Sequence, residues 1–504
     1  MGISVELPER APTGVAGLDE ILDGGLPRGW TYLIHGHAGT GKTTLSLHFL
    51  REGVRAGERV LYVSLMQSRE ELANMARSHG WSLEGIEFLD LPESVRKKAA
   101  AEQTVFAPNE IQLQELTETI VAGIKEYRPE RLVLDSISEL AVLAATAQQL
   151  RGPVLGVKDL LQDTSCTALF TCGEIGASTL QLRTLLHGVI ELEISFPSFA
   201  GHRRRLKVTK VRGMPFLGGY HDFRIRTGGM DVFPRLRAGG LDKRRDWETI
   251  ASGVEEIDTM LGGGLEEGTA CLMTGTSGSG KSTLASLYVR AAAEKGKKSV
   301  IFCFDERRET FLRRSVALGL PMPDYIERGL VDLRQVAVGE MSPGEFSHAV
   351  RSAVEEGGAS VVVIDSVSGY MSAMPDQVLL TTQLHELLSY LSGAGVLTLM
   401  VLTTHGIYHE PGPIVDASYI ADTVILLRHF EAHSEMRHCI AVVKKRHGNH
   451  EKTIREFMIT SEGCRVGEPL PQFTGLLTGT PTFSGDPEAL MTRTKGAGNE
   501  DDEG

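Results

Sequence analysis

Two short stretches of this 504-residue chain have residue types and spacing suited to holding a polyphosphate. "GHAGTGKT" at 36–43 and "GTSGSGKS" at 275–282 both follow G-x-x-x-x-G-K-[ST]. Glycines at these positions let backbone N–H groups converge on phosphate oxygens, and the helix that follows presents its positive end. The lysine neutralises the outer phosphates, and the Thr or Ser hydroxyl is a ligand for Mg²⁺. In the first stretch the candidate ATP contacts are Gly36, Gly39, Thr40, Gly41, Lys42, Thr43 and Thr44. In the second they are Gly275, Ser277, Gly278, Ser279, Gly280, Lys281, Ser282 and Thr283. One such match can be accidental, but two in equivalent contexts indicate an ATP-binding protein that works with Mg²⁺.

Hydrolysis needs a carboxylate to orient Mg²⁺ and a group to polarise the attacking water. Asp135 ("RLVLDS", 131–136) and Asp365 ("SVVVIDS", 360–366) end β-branched runs, where a Mg²⁺-orienting aspartate is expected. The expected metal ligands are therefore Thr43 with Asp135 and Ser282 with Asp365. For water activation the second copy offers Asp305 and Glu306 in "FCFDERRE", with Glu306 the general base and Asp305 beside it. Lys281 completes that catalytic set. The first copy offers Met66 and Gln67 in "YVSLMQSREE". A thioether cannot accept a proton, and a neutral amide can orient water without acting as a base, so slow or silent turnover is expected there. Lys210-x-Arg212 and Lys444-x-Arg446 recur late in each copy. In a strand, residues i and i+2 share a face, so each pair can address one anion while Lys445 points away.

The elements that must position these groups are duplicated. "PTGVAGLDEILDGGLPRGW" at 12–30 matches "ASGVEEIDTMLGGGLEEGT" at 251–269, and Lys42 and Lys281 lie 239 residues apart. The same offset carries Met66 and Gln67 onto Asp305 and Glu306 without a gap. Each copy reads as a strand, a Gly-rich loop and a helix, followed by alternating apolar β-branched runs and helical segments. That pattern predicts an α/β fold with a mainly parallel sheet covered by helices on both faces. The expected boundaries are an N-terminal domain at 1–245, a C-terminal catalytic domain at 246–480 and a disordered tail at 481–504. The join falls near "RLRAGGLDKRRDWETI" at 235–250, and the end of the chain is polar and acidic.

Composition narrows the function class. Hydrophobic residues make up 41% and charged residues 23%, as in an ordinary globular protein. No apolar run is long enough for a membrane span, and the N-terminus lacks a secretory pattern, which suggests a cytoplasmic protein. The net charge of −13 disfavours nucleic acid as a partner, although "HRRRLKVTKVR" at 202–212 is locally basic. The six cysteines are scattered without a C-x-x-C pair and read as reduced core thiols. His429, His433, His438, His447, His450 and Cys439 fit no compact metal-ligand spacing.

These motifs resemble the KaiC-like circadian clock ATPase and autokinase family of the RecA-like superfamily. The likeness rests on the duplicated lead-in, twin P-loops, twin strand-terminal aspartates and twin Lys-x-Arg pairs. It is supported by "ARSHGW" at 76–81 and the wording of 421–460. The resemblance implies two tandem RecA-like P-loop NTPase domains and a double-ring homohexamer with ATP between subunits. It also implies contacts from Lys210, Arg212, Lys444 and Arg446 to the neighbouring subunit's nucleotide. Family members hydrolyse ATP and autophosphorylate adjacent Ser and Thr residues in the C-terminal ring; Ser418 in "DASYIADT" aligns with one acceptor and Tyr419 replaces the Thr. The expected activity is that of an ATPase and serine/threonine autokinase with signalling or timing partners. A DNA-dependent recombination ATPase and a nucleotide-gated scaffold are the alternatives.

Overall fold

In the computed structural model the described residues are 8–90, 109–144, 146–174, 176–196, 201–237, 247–337, 339, 341–372, 377–404, 419–432, 435–461, 463–476 and 482–483. They fall into two compact units that divide between Arg235 and Leu236.

The first unit is built on a nine-stranded sheet. From one edge its strands run Gly229–Phe233, His221–Arg226, Arg203–Val211, Gly188–Ser195, Thr31–His35, Thr167–Cys172, Arg131–Asp135, Val60–Ser64 and Ile86–Asp90. The pairings from Gly188–Ser195 through Ile86–Asp90 are parallel, and the other three strands extend the sheet antiparallel. The second unit repeats this plan, with Ala270–Gly275 carrying the P-loop between Leu397–Thr403 and Thr423–Ala432. Both sheets are therefore mainly parallel and flanked by helices, as the alternating pattern predicts.

The continuous apolar runs follow from burial on both faces. Tyr32 and Ile34 enter one core with Tyr62 and Val133, whereas Leu33 enters the other with Leu61, Val63 and Leu134. Successive residues of a strand point to opposite faces, so a strand between two helical layers must be apolar at every position. The second unit divides in the same way, with Met273, Ile301 and Val363 on one face and Leu272, Phe302 and Ile364 on the other. The duplicated lead-in has a local purpose. Asp19 accepts from the Thr13 N–H at 2.7 Å and hydroxyl at 2.8 Å, and Asp258 accepts from the Ser252 N–H at 2.6 Å. Each aspartate ties down the turn that leads into its unit.

All six cysteines are buried and free of disulfides. Among the described residues no helix is long and apolar enough to cross a membrane. Within the stretch expected as a tail, Thr482–Phe483 pairs antiparallel with Phe473–Thr474. Phe483 packs on Phe473 with ring centroids 4.8 Å apart, an apolar anchor within an otherwise polar stretch.

Candidate active site

Both P-loops connect a buried strand to a 14-residue helix, Lys42–Arg55 in the first unit and Lys281–Glu294 in the second. Gly41 and Gly280 cap these helices in the left-handed region, at φ 103° and 97°, where a Cβ is disfavoured. Gly39 and Gly278 also have positive φ, and Gly36 and Gly275 pass so close to backbone carbonyls that a Cβ would clash. Thr40 and Ser279 are fully buried beneath the loops, and Thr40 donates to the His37 carbonyl at 2.8 Å. Thr44 and Thr283 sit in the first turns of the helices, both buried.

The lysines lie folded over their loops. Lys42 Nζ donates to the Gly36 and His37 carbonyls at 2.6 and 2.9 Å, and Lys281 Nζ to the Thr276 carbonyl at 2.6 Å. Burial pulls the Lys281 ammonium down to about 8, with Asp365 opposing the shift, and lowers Lys42 for the same reason. A polyphosphate would add counter-charge to what Asp135 and Asp365 supply to the two ammonium groups.

The strand-terminal aspartates stand opposite the loop hydroxyls. Thr43 Oγ1 donates to Asp135 Oδ2 at 3.0 Å, and the Ser282 hydroxyl stands near enough to Asp365 to favour its ionised form. A cis peptide follows each aspartate. Burial raises Asp365, the Ser282 hydroxyl and Arg314 oppose this, and the nearby Glu306 and Asp305 push it further up. The second unit's set of Ser282 and Asp365 fits Mg²⁺, which takes one or two protein oxygens, keeps several waters and would relieve the crowding of negative charge there. Among the described residues no cluster of three or more His, Cys, Asp or Glu forms a protein-only cage.

The comparison between Met66-Gln67 and Asp305-Glu306 survives in three dimensions. Ser64 pairs with Asp135 and Cys303 with Asp365 in the same parallel register. The Leu65 N–H bonds to the Asp135 carbonyl at 2.8 Å, and the Phe304 N–H to the Asp365 carbonyl at 2.7 Å. Ser64 Oγ then closes the turn on the Gln67 carbonyl at 2.6 Å, as Cys303 Sγ does on the Glu306 carbonyl at 3.2 Å. The turns match; the side chains they present differ. Met66 is two-thirds exposed. Glu71 cannot substitute, since its carboxylate accepts from the Ser68 N–H at 2.7 Å in a capping box.

In the second unit a cleft of about 540 Å³ is lined by the P-loop together with Asp305, Glu306, Arg314 and Asp365. Glu306 is held by Arg314 through two bonds, Nη2 to Oε2 at 2.8 Å and Nε to Oε1 at 3.2 Å. Asp305 accepts from the Ser366 hydroxyl. Nothing in the spacing singled out Arg314, which looks like one cation among several in "DERRETFLRR". His429 also matters more than its place in a scattered histidine set suggested, because its Nδ1 lies 2.8 Å from Thr276 Oγ1 in the loop. In the first unit Tyr62 and Thr171 join Thr43 on Asp135 at 2.5 Å each, and Glu174 pairs with the loop residue His37 at 3.2 Å. Only the sheet brings Tyr62, Asp135 and Thr171 together.

In each Lys-x-Arg pair the lysine lies in a strand, Arg203–Val211 or Glu435–Lys445, and the arginine one residue past its end. Lys210 Nζ donates to the Arg183 and Leu186 carbonyls at 2.9 and 2.7 Å, and Arg212 to the Thr184 carbonyl at 3.0 Å. These cations cap the C-terminal end of helix Ala177–Leu185, a favourable place for positive charge. Lys444 bonds to the Ala421 carbonyl at 2.7 Å, and Arg446 to the Tyr419 carbonyl at 2.7 Å and Asp422 Oδ1 at 3.2 Å. Lys445 points the other way, onto Glu266 at 2.9 Å. A bulge precedes each pair, where the register shifts between Val189 and Ile190 and between Val424 and Ile425. Ser418 lies outside the described residues, as does His433.

A family model described as "ATPase: KaiC" matches residues 11–237 and 250–470. The circadian clock oscillator protein KaiC of Thermostichus vulcanus is 27% identical, over 94% of this chain and 92% of its own length. The circadian clock protein KaiC3 of Synechocystis is 28% identical, over 95% and 96%. The same oscillator protein from Synechococcus elongatus is 28% identical, over 93% and 91%. The matches span both P-loop units, and the chain belongs to the KaiC family of ATPases.

Proposed function

We propose that this ATPase turns over mainly in its second unit, while the first unit binds ATP and holds the assembly together. The observation that carries this reading is the position shared by Glu306 and Gln67. Glu306 lines the cleft with Lys281 and Asp365, whereas the matching turn of the first unit presents an uncharged amide. Lys281 and the loop amides hold the phosphates, Ser282 and Asp365 place Mg²⁺, and Glu306 polarises the attacking water with Asp305 beside it. In the first unit Lys42, Thr43 and Asp135 form the cradle, and bound nucleotide stabilises the folded and assembled state by mass action.

The assembly is a homo-oligomer, a double-ring hexamer by analogy with the relatives, in the cytoplasm. Lys210, Arg212, Lys444 and Arg446 reach the neighbour's nucleotide once the backbone carbonyls that now hold them release them. Ser418 is the acceptor for autophosphorylation, and Glu306 activates its hydroxyl in that reaction. The circadian role named for the relatives points to signalling or timing, with protein partners that respond to nucleotide state.

The test is to incubate the protein with Mg²⁺ and ATP, follow phosphate release and record intact mass. Glu306→Gln and Lys281→Ala should each lower turnover by about a hundredfold or more, and Lys42→Ala should leave most of it. A phosphate adduct should disappear in Ser418→Ala. Loss of most turnover from an assembled Lys42→Ala protein overturns the division of labour, and an adduct that survives Ser418→Ala overturns the acceptor.

A further inference from the structure

The two strand-terminal aspartates have different hydrogen-bond environments. Asp135 Oδ2 accepts from Thr43 at 3.0 Å and from the buried Tyr62 hydroxyl at 2.5 Å, and Oδ1 accepts from the buried Thr171 hydroxyl at 2.5 Å. The sheet register identifies the counterparts in the second unit. Tyr62 lies opposite Val133, two residues before Asp135, as Ile301 lies opposite Val363, two before Asp365. Thr171 lies opposite Ile34, as Val401 lies opposite Met273. Both extra hydroxyls are thus replaced by apolar side chains, and of the three counterparts only the Ser282 hydroxyl can serve Asp365.

A carboxylate has about four lone-pair sites, and Mg²⁺ bound at a P-loop keeps several waters that need acceptors. Asp365 has lone pairs to offer, and Asp305 and Glu306 beside it add negative charge that a cation relieves. Asp135 has given three of its sites to internal donors, and Met66 and Gln67 stand where the two extra acids would be. Hydrogen bonding and charge act in the same direction. Building on the reading that the first unit holds nucleotide, we propose that it does so with little dependence on Mg²⁺. Binding there rests on Lys42 and the loop amides, and only the second cradle requires the cation.

The wild-type protein gives the first test. After dialysis against EDTA, about half of the bound nucleotide should stay with the chain, read by chromatography of the released nucleotide. Loss of all of it overturns the proposal. Titration of a fluorescent ATP analogue into single-site variants separates the cradles. In Lys281→Ala, removal of Mg²⁺ should weaken binding less than about threefold, whereas in Lys42→Ala it should weaken binding more than about tenfold. Equal losses in the two variants overturn the proposal. If Lys281→Ala binds nothing even with Mg²⁺, the underlying reading fails instead. Tyr62→Ile combined with Thr171→Val, in the Lys281→Ala background, should raise the Mg²⁺ effect toward that of the second cradle. An unchanged effect overturns the role assigned to the two hydroxyls.

Discussion

Glu306 and Arg314 form a two-bond ion pair over the second cleft, and the 239-residue offset places Gln67 and Met75 at the same positions of the first unit. Met75 packs against the apolar core beneath its helix. Both partners of the pair are exchanged together, as expected when removing one would leave the other charge half-buried and unmatched. Arg314 also approaches Thr283 Oγ1 at 3.5 Å, so its fork fixes the Glu306 carboxylate relative to the P-loop helix. With Glu306 as the proposed water-activating acid, Arg314 is a positioning residue. Arg314→Met should lower kcat by roughly tenfold and change ATP affinity less than about threefold. Arg314→Lys should recover only part of the loss, because an ammonium cannot reproduce the two-point contact. A large rise in KM with kcat unchanged would assign Arg314 to binding instead.

At the scale of elements, the antiparallel extension of each sheet supports the P-loop from below. A Cβ added at Gly280 would meet Ile459 Cδ1 at 2.5 Å and Phe457 Cε1 at 2.7 Å, and one at Gly41 would meet Ile225 Cδ1 at 2.5 Å. Those side chains lie on Ile454–Thr460 and His221–Arg226. With φ near +100° at both glycines, alanine there adds backbone strain to steric overlap. Gly280→Ala should destabilise the second unit by about 1–3 kcal/mol, read by denaturant titration, and weaken ATP binding there at least tenfold. Ile459→Ala in the same chain should recover part of the stability by opening space. An alanine variant as stable as the wild type would show that the loop is free of the strand. The strands and helices themselves were readable from periodicity, because central strands buried on both faces must be apolar throughout. The bulges before Lys210 and Lys444 were not, since one extra residue in a strand leaves no mark on composition.

At the scale of the molecule, duplication created two cradles that differ in a few side chains. If the first holds nucleotide for assembly and the second spends it, their lysines have separable effects. Lys42→Ala should dissociate into smaller species at low ATP while Lys281→Ala stays assembled, measured by light scattering after size exclusion. The reverse pattern would place the structural nucleotide in the second unit. By itself the sequence determined the tandem α/β architecture, the two phosphate loops and the aspartates at their strand ends. Glycine spacing and apolar periodicity are local, and backbone geometry demands them wherever they occur. It also located Met66 and Gln67, because the offset between copies is free of gaps up to that point. Only the tertiary structure decided that Asp135 is committed to Tyr62 and Thr171, that Glu306 is held by Arg314, and that Lys210 and Arg212 cap the end of a helix. The partners of Asp135 lie 36 to 92 residues from it along the chain, and even the eight residues between Glu306 and Arg314 do not by themselves say which of several arginines reaches the acid. The lone pairs of a buried carboxylate go to whichever donors the fold brings within reach.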